Sequence, residues 1–411
     1  MSFFFNVSSR PTISEIHELY RTNQAKPSEI VEFFIDRIKE KDPEINAFFK
    51  TCEKVAMEQA AELDLKLEEI LKPNELLPIG MIISDLPIRF AMLFDKYPLF
   101  GIPFATKAII QLEGEVFNAS SKIMDDFVAP FSATVIEKVL GAGAILIGIT
   151  NMDQWAMGSS GETCDFGNIK NPFDTSRTPG GSSSGAAASV GSGQVVFALG
   201  TDTGGSIRQP AAFCDVVGLK PTYGLVSRWG VMPMASSLDQ VGAITNNVSD
   251  NILVNKILAG KDQKDQTTIE SGELITNLEK ILTKLQNENV SKSSAQNLTN
   301  QSPVIDQKNN PVTMAWQKME KEQNLTKISK NQPKKFKIGL PKEFYVDGID
   351  PIIRKALTDL QNKLVASGHE IVEVDLPLTK YAVAVYYMTM GVEVASNLER
   401  IDGVRFARQG E

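Results

Sequence analysis

The stretch Thr178-Pro179-Gly180-Gly181-Ser182-Ser183-Ser184-Gly185-Ala186-Ala187-Ala188-Ser189-Val190-Gly191-Ser192-Gly193-Gln194-Val195-Val196-Phe197-Ala198-Leu199-Gly200-Thr201-Asp202-Thr203-Gly204-Gly205-Ser206 decides how this chain folds. Its 29 residues hold eight glycines and six serines. Flexible linkers share that composition, but they carry no buried-element patterns. Here Ala186 to Val190 suits a tightly packed helix, and Val195 to Leu199 suits a buried strand. The glycines and serines therefore fall at close-packed turns between core elements. Such turns can aim backbone N–H groups and hydroxyls at a reacting carbonyl, because glycine keeps side chains out of the way.

Upstream, Gly101-Ile102-Pro103-Phe104-Ala105-Thr106 suits a buried strand leading to Lys107. Residues 132 to 141 read as a helix with Val135, Ile136, Val139 and Leu140 inward, and Ala144 to Ile149 as a second buried strand. Residues 12 to 50 read as two helices. Thr12 and Glu15 form a capping box for the first, and Ser28 is placed to cap the second. Ile30, Val31, Phe34, Ile35 and Ile38 make the inner face of that second helix, and Lys41-Asp42-Pro43 is expected to end it. The stretch 66 to 98 has irregular polarity and reads as an extra segment.

Downstream, Gly224 to Ile244 reads as loops and short strands. Residues 262 to 335 are rich in polar side chains, with one amphipathic helix over Leu274, Leu278, Ile281, Leu282 and Leu285. Order resumes with a strand at Phe336 to Leu340, a helix at Ile352 to Val365, a strand at Glu370 to Val374 and a helix over 381 to 400. The alternation predicts an α/β fold with helices covering a sheet. The expected organisation is a single domain over 1–411: N-terminal helices at 10–65, a core at 100–260, a polar insertion at 270–335 and a C-terminal part at 336–411.

Forty-two basic against 50 acidic residues leave a formal charge of -8 and a pI near 5.2, which argues against a chain that grips nucleic acid through its own surface. The only histidines are His17 and His369, too few for a multi-histidine metal centre; no metal site is expected. Cys52, Cys164 and Cys214 are odd in number and form no C-x-x-C, so they read as buried thiols of a reducing compartment. Met1 to Asn6 lacks a signal-peptide pattern, and no run of eighteen apolar residues occurs; Met81 to Phe94 is interrupted by Asp85, Pro87 and Arg89. The expected location is the cytoplasm, without membrane contact.

Phosphate-binding motifs fail. No G-x-x-x-x-G-K-[ST] exists, and neither Gly191-Ser192-Gly193 nor Gly141-Ala142-Gly143 continues to the third glycine of G-x-G-x-x-G. Gly181-Ser182-Ser183-Ser184-Gly185 matches the G-x-S-x-G elbow, with His369 downstream. That elbow must leave a buried strand directly, whereas a polar loop, Asn171 to Pro179, precedes it here. His369 sits in Ala366-Ser367-Gly368-His369-Glu370, an ordinary helix-to-strand turn. A serine nucleophile then needs another base. Lysine serves when burial leaves its amine neutral, and Lys107, flanked by apolar residues, is the candidate.

Gly180-Gly181-Ser182-Ser183-Ser184-Gly185, Asp202-Thr203-Gly204-Gly205-Ser206-Ile207-Arg208-Gln209-Pro210-Ala211, Gly101-Ile102-Pro103 before Lys107, and Gly218-Leu219-Lys220-Pro221-Thr222-Tyr223-Gly224 together resemble the amidase signature family. The resemblance implies that family's fold, one large mixed sheet covered by helices on both sides. It also implies a Ser-Ser-Lys triad with Ser206 as nucleophile, Ser182 as a relay preceded by a cis peptide bond, and Lys107 as base. Backbone N–H groups of Thr203, Gly204 and Gly205 are implied as the oxyanion site, and Arg208 as a structural ion-pair partner.

Within that family, Asn151-Met152-Asp153, Met157-Gly158-Ser159-Ser160, Ser227-Arg228-Trp229-Gly230, Ala235-Ser236-Ser237-Leu238-Asp239-Gln240-Val241-Gly242 and Glu393 to Phe406 resemble the glutamine-hydrolysing subunits of tRNA-dependent amidotransferases. The resemblance implies hydrolysis of L-glutamine, with Arg405 and Ser159 binding substrate. It implies two partner proteins, the B and C components of the amidotransferase. The B component uses ATP and Mg to amidate misacylated tRNA with the released ammonia, and the small C component wraps the other two. No cofactor is implied for the glutamine-hydrolysing chain itself. This chain departs at Ala108-Ile109, where Asp-Asn is usual, and at Ser184, where glycine is usual. It also stops at Glu411, short of an acidic residue that binds the substrate amino group, so a C-terminally truncated member is expected. A stand-alone amidase and a non-catalytic relative are the alternatives.

Overall fold

The computed structural model describes residues 10–72, 86–272 and 335–401. The chain divides into two compact units, Met1–Glu288 with Thr389–Glu411, and Asn289–Met388.

In the first unit, α1 (Ile13–Arg21) starts at the expected capping box, with Thr12 as N-cap. Helix α2 (Pro27–Ile45) departs from expectation at both ends. Pro27 occupies the first turn, where its missing N–H costs nothing. The cap position therefore falls on Lys26, whose N–H donates to Glu29 Oε2 at 2.8 Å. Ser28 is left inside the helix, where its N–H and hydroxyl donate to Asp64 at 3.0 and 2.5 Å. Nor does Pro43 end α2. The helix runs two residues past it to Ile45 and is capped by Asn46 in the left-handed conformation (φ 58°), and the Asp42 carboxylate collects the N–H groups of Ala47 and Phe48.

Strand β1 (Phe48–Thr51) and α3 (Glu53–Leu71) follow, then α4 (Leu86–Lys96). Much of the segment read as extra is thus helical. Pro87 falls in the first turn of α4, which tolerates it, and Phe90 and Leu93 are buried. The core then runs through β2 (Pro103–Lys107), α5 (Thr134–Gly141), β3 (Ile145–Thr150), α6 (Ser184–Gly191), β4 (Phe197–Asp202), α7 (Arg208–Phe213), β5 (Val217–Gly218), β6 (Gln240–Thr245) and α8 (Val248–Leu258).

The sheet order is β1-β3-β2-β4-β6-β5. Strand β2 runs parallel to β3 and β4, whereas β1, β5 and β6 pair antiparallel with their neighbours. Every residue of β2, β3, β4 and β6 is buried, which requires cover on both faces of the sheet. Helices α2 and α3 pack on β3, α6 on β2, β3 and β4, and α8 on β5 and β6.

In the second unit, β7 (Lys337–Pro341) and β8 (Glu370–Val374) form a separate parallel pair joined through α9 (Pro351–Ala366). The last described helix, α10 (Ala382–Leu398), belongs to the first unit from Thr389 on. The helix expected over Leu274 to Leu285 lies outside the described residues. Among the described residues no helix is long and apolar enough to cross a membrane. All three cysteines are free and buried, and burial pushes the Cys52 and Cys214 thiols up to about 12.

Candidate active site

Strand β2 ends at Lys107, between β3 and β4, with the side chain fully buried (0% exposed). Its Nζ donates to Ser182 Oγ at 2.8 Å and to Thr201 Oγ1 at 2.9 Å. Burial pulls the amine down from its ordinary value of 10.5 to about 7, while the carboxylates Asp153, Asp202 and Asp239 act the other way. The desolvation of one ammonium outweighs three partly screened anions.

Ser182 lies in the turn before α6, and the Gly181–Ser182 peptide bond is cis. The turn is packed too closely for side chains. A Cβ on Gly181 would meet Asp153 Oδ2 at 1.9 Å, and one on Gly185 would meet the Ala47 carbonyl oxygen at 2.2 Å. Gln209 on α7 accepts the Gly181 N–H at 2.8 Å. Ser183 ties the turn to β4: its hydroxyl donates to Thr201 O at 3.1 Å, and its N–H donates to Ser206 O at 3.1 Å. Ser184, the residue standing where glycine is usual, begins α6 and directs its hydroxyl to Asp153 Oδ2 at 3.4 Å.

Ser206 lies in the loop between β4 and α7 and is 9% exposed. Among the described residues no hydrogen bond links its Oγ to Ser182 Oγ; its backbone carbonyl, held by Ser183, fixes its place. Asp202 folds this loop back on itself. It accepts the N–H groups of Gly205 (2.9 Å), Ile207 (3.2 Å) and Arg208 (3.3 Å), and both arms of the Arg208 guanidinium at 2.9 Å. Burial works to raise the Asp202 carboxyl, but Arg208 and the N–H donors outweigh it and hold it below the usual range. Arg208 thus stands in the ion pair expected of it. The Gly205 N–H is engaged by Asp202 at 2.9 Å, so any oxyanion would share that donor with the carboxylate.

The expected substrate residues are not brought to this point in the same way. Ser159 is exposed, in the loop after Asp153. Arg405 lies outside the described residues. Ala108 and Ile109 are buried beside Lys107 and are held by backbone bonds, Ala108 N–H to Thr150 O, Ala119 N–H to Ala108 O and Met232 N–H to Ile109 O, each at 3.1 Å. His369 accepts the Phe336 N–H at 3.2 Å next to β8, and His17 is buried against Phe94 with its pKa lowered to about 3 by burial.

Sequence reasoning gave no role to three residues of this centre: Thr201, Ser183 and Asp153. Asp153 accepts the Gly161 N–H and the Thr163 hydroxyl, both at 2.9 Å, behind the Ser182 turn. The Asn151-Met152-Asp153 motif was the available signal for it, but the motif names no partner.

A family model described as Amidase matches residues 86–291 and 295–411. The A subunit of the glutamyl-tRNA(Gln) amidotransferase of Persephonella marina is 37% identical over 395 residues, 96% of this chain and 67% of that protein. Its counterpart from Heliobacterium modesticaldum is 38% identical over 400 residues, 97% of this chain and 67% of its own length. Among solved structures, the A subunit of the glutamyl-tRNA(Gln) amidotransferase of Thermotoga maritima is similar with a TM-score of 0.65 and 30% identity, covering 94% of this chain and 66% of that one. The peptide amidase of Stenotrophomonas maltophilia is similar with a TM-score of 0.67 and 25% identity, covering 96% and 68%. The chain spans about two thirds of the length of these proteins.

Proposed function

Because the chain belongs to the amidase family, we propose that it hydrolyses the carboxamide of L-glutamine through Ser206, Ser182 and Lys107, as the glutaminase component of a tRNA-dependent amidotransferase. One observation carries this: a fully buried lysine, with its pKa lowered to about 7, stands 2.8 Å from the hydroxyl of a serine whose turn is hydrogen-bonded to the backbone of Ser206.

Near neutral pH a large fraction of Lys107 is the free amine. Its lone pair takes the Ser182 proton as Ser182 takes that of Ser206, and Ser206 Oγ bonds to the carboxamide carbon. The carbonyl π pair moves onto oxygen, where the N–H groups of Thr203 and Gly204 stabilise it. Collapse re-forms the carbonyl and breaks the C–N bond. The proton returns through Ser182 to the leaving nitrogen, ammonia departs, and water releases glutamate from the acyl-enzyme by the same relay. The Ser206–Ser182 hydrogen bond that this needs tightens when substrate is bound, as such bonds often do. Asp202 and Arg208 fix the loop and do not react.

Arg405 binds the glutamine α-carboxylate, which a guanidinium fork suits, and Ser159 is a further substrate contact. Ammonia passes to the B component, which uses ATP and Mg to amidate Glu-tRNA(Gln) or Asp-tRNA(Asn), with the C component wrapping the pair in the cytoplasm. The acidic chain leaves tRNA contact to the B component. The similarity to a peptide amidase supports a second function, a stand-alone amidase. The two separate in one assay. In the complex with the B and C components, Ser206→Ala should abolish ammonia release from glutamine and spare amidation driven by added ammonium. Glutaminase activity surviving that change would remove Ser206 as nucleophile. Amide hydrolysis at full rate without partners or tRNA would favour the stand-alone enzyme.

A further inference from the structure

The Thr203-Gly204-Gly205 loop has a second anchor besides Asp202. The antiparallel register pairs Asp202 with Gln240, which sets Thr203 beside Asp239. Thr203 Oγ1 donates to Asp239 Oδ1 at 2.6 Å. The same carboxylate accepts the N–H of Met234 at 2.8 Å and that of Ala235 at 3.1 Å. It is 7% exposed, and burial raises its pKa above the usual carboxylate value. Two carboxylate oxygens accept three donors here; an amide, with a single acceptor oxygen, could not serve all three sites in the same way.

The 234–237 loop is held in turn by α10. Asn397 Nδ2 donates to Met234 O and to Ser236 Oγ, each at 3.1 Å. The Ser237 N–H donates to Glu393 Oε2 at 2.9 Å, which holds that carboxyl below its ordinary value. Glu393 and Asn397 are four positions apart, so they stand one helical turn apart on one face. A continuous series of hydrogen bonds therefore runs from α10 through the 234–237 loop and Asp239 to the loop that precedes Ser206.

We propose that Asp239 is a positioning residue that clamps the Thr203 loop to the 234–237 loop, and that Asn397 and Glu393 on α10 set this clamp. The proposal rests on the catalytic role given above to the Thr203 loop. Backbone donors stabilise an oxyanion only where they are aimed at it, and small misplacements are costly. Loosening the clamp acts on the transition state and not on ground-state binding, so kcat falls while KM holds.

The test measures glutamine hydrolysis in the assembled complex for Thr203→Val, Thr203→Ser, Asn397→Ala and the Thr203→Val/Asn397→Ala double variant, with thermal melting as a check of folding. Thr203→Val should lower kcat about tenfold with KM within about twofold, and Thr203→Ser should restore most of the rate. Asn397→Ala should lower kcat several-fold, and the double variant should be little worse than Thr203→Val, because both changes open one clamp. A wild-type kcat in Thr203→Val, a Thr203→Ser as slow as the valine variant, or losses that multiply would each overturn the proposal. Ser206→Ala in the same assay separates the two levels. If it remains active, the catalytic role itself fails; if it is inactive and Thr203→Val is unimpaired, only the clamp fails.

Discussion

The chain builds two parallel strand–helix–strand units, and each carries one of the two side chains that the sequence offers as a partner for a serine, Lys107 and His369. In the first, β2 and β3 flank α5 in sequence, and Lys107 ends β2. In the second, β7 and β8 flank α9, and His369 precedes β8. The local motif is the same and the surroundings are opposite. Strands β2 and β3 are buried at every position, whereas no described residue of β7, β8 or α9 is buried. His369 accepts a backbone N–H at the edge of a two-stranded sheet, away from the serines of the candidate site. Lysine needs its charge disfavoured, and only a six-stranded sheet covered on both faces supplies that burial. Packing, not residue type, is what brings the Lys107 amine down to about 7.

The strongest way to break this comparison is at the nucleophile. Ser206→Ala should lower glutamine hydrolysis by at least about a thousandfold, read as ammonia release. Lys107→Met follows, with a loss of about 10²–10⁴-fold, and it has a second consequence for stability. The folded amine has a pKa of about 7 against 10.5 when exposed, so between those values the unfolded chain binds the extra proton. Stability should therefore rise with pH across that window and be lost as pH falls toward about 7. Denaturant titrations at several pH values should show this slope in the parent and not in Lys107→Met.

Packing should divide the two units as sharply as chemistry does. Ile147 is fully buried on β3, and Ile147→Ala should cost about 2–5 kcal/mol in chemical unfolding. Ile353 on α9 is 57% exposed, and Ile353→Ala should stay within about 0.5 kcal/mol. The smallest expected effect is that of His369→Ala, which should leave kcat/KM within about twofold of the parent.

The sequence showed the elements of the core but not the contacts between them. Ala186 to Val190 and Val195 to Leu199 announced α6 and β4 by composition alone, and Lys107 stood out by its apolar flanks. Thr201 did not, because its bond to Lys107 spans 94 positions and exists only through the β2–β4 register. Gly205 looked like a free donor until Asp202, three residues earlier, turned back to take its N–H. Ser28 carried a genuine capping signal, but Pro27 moved the start of the helix and delivered the serine to Asp64. In each case a long-range partner or a close neighbour in the fold decided what a locally legible residue does.

The most direct test of the account is the pH dependence of kcat/KM for glutamine hydrolysis, compared between the parent and His369→Ala. A buried Lys107 that works as the free amine predicts a single rising limb with its midpoint near pH 7, unchanged in His369→Ala. A rate independent of pH from about 5.5 to 9, or a limb that disappears with His369, would contradict it.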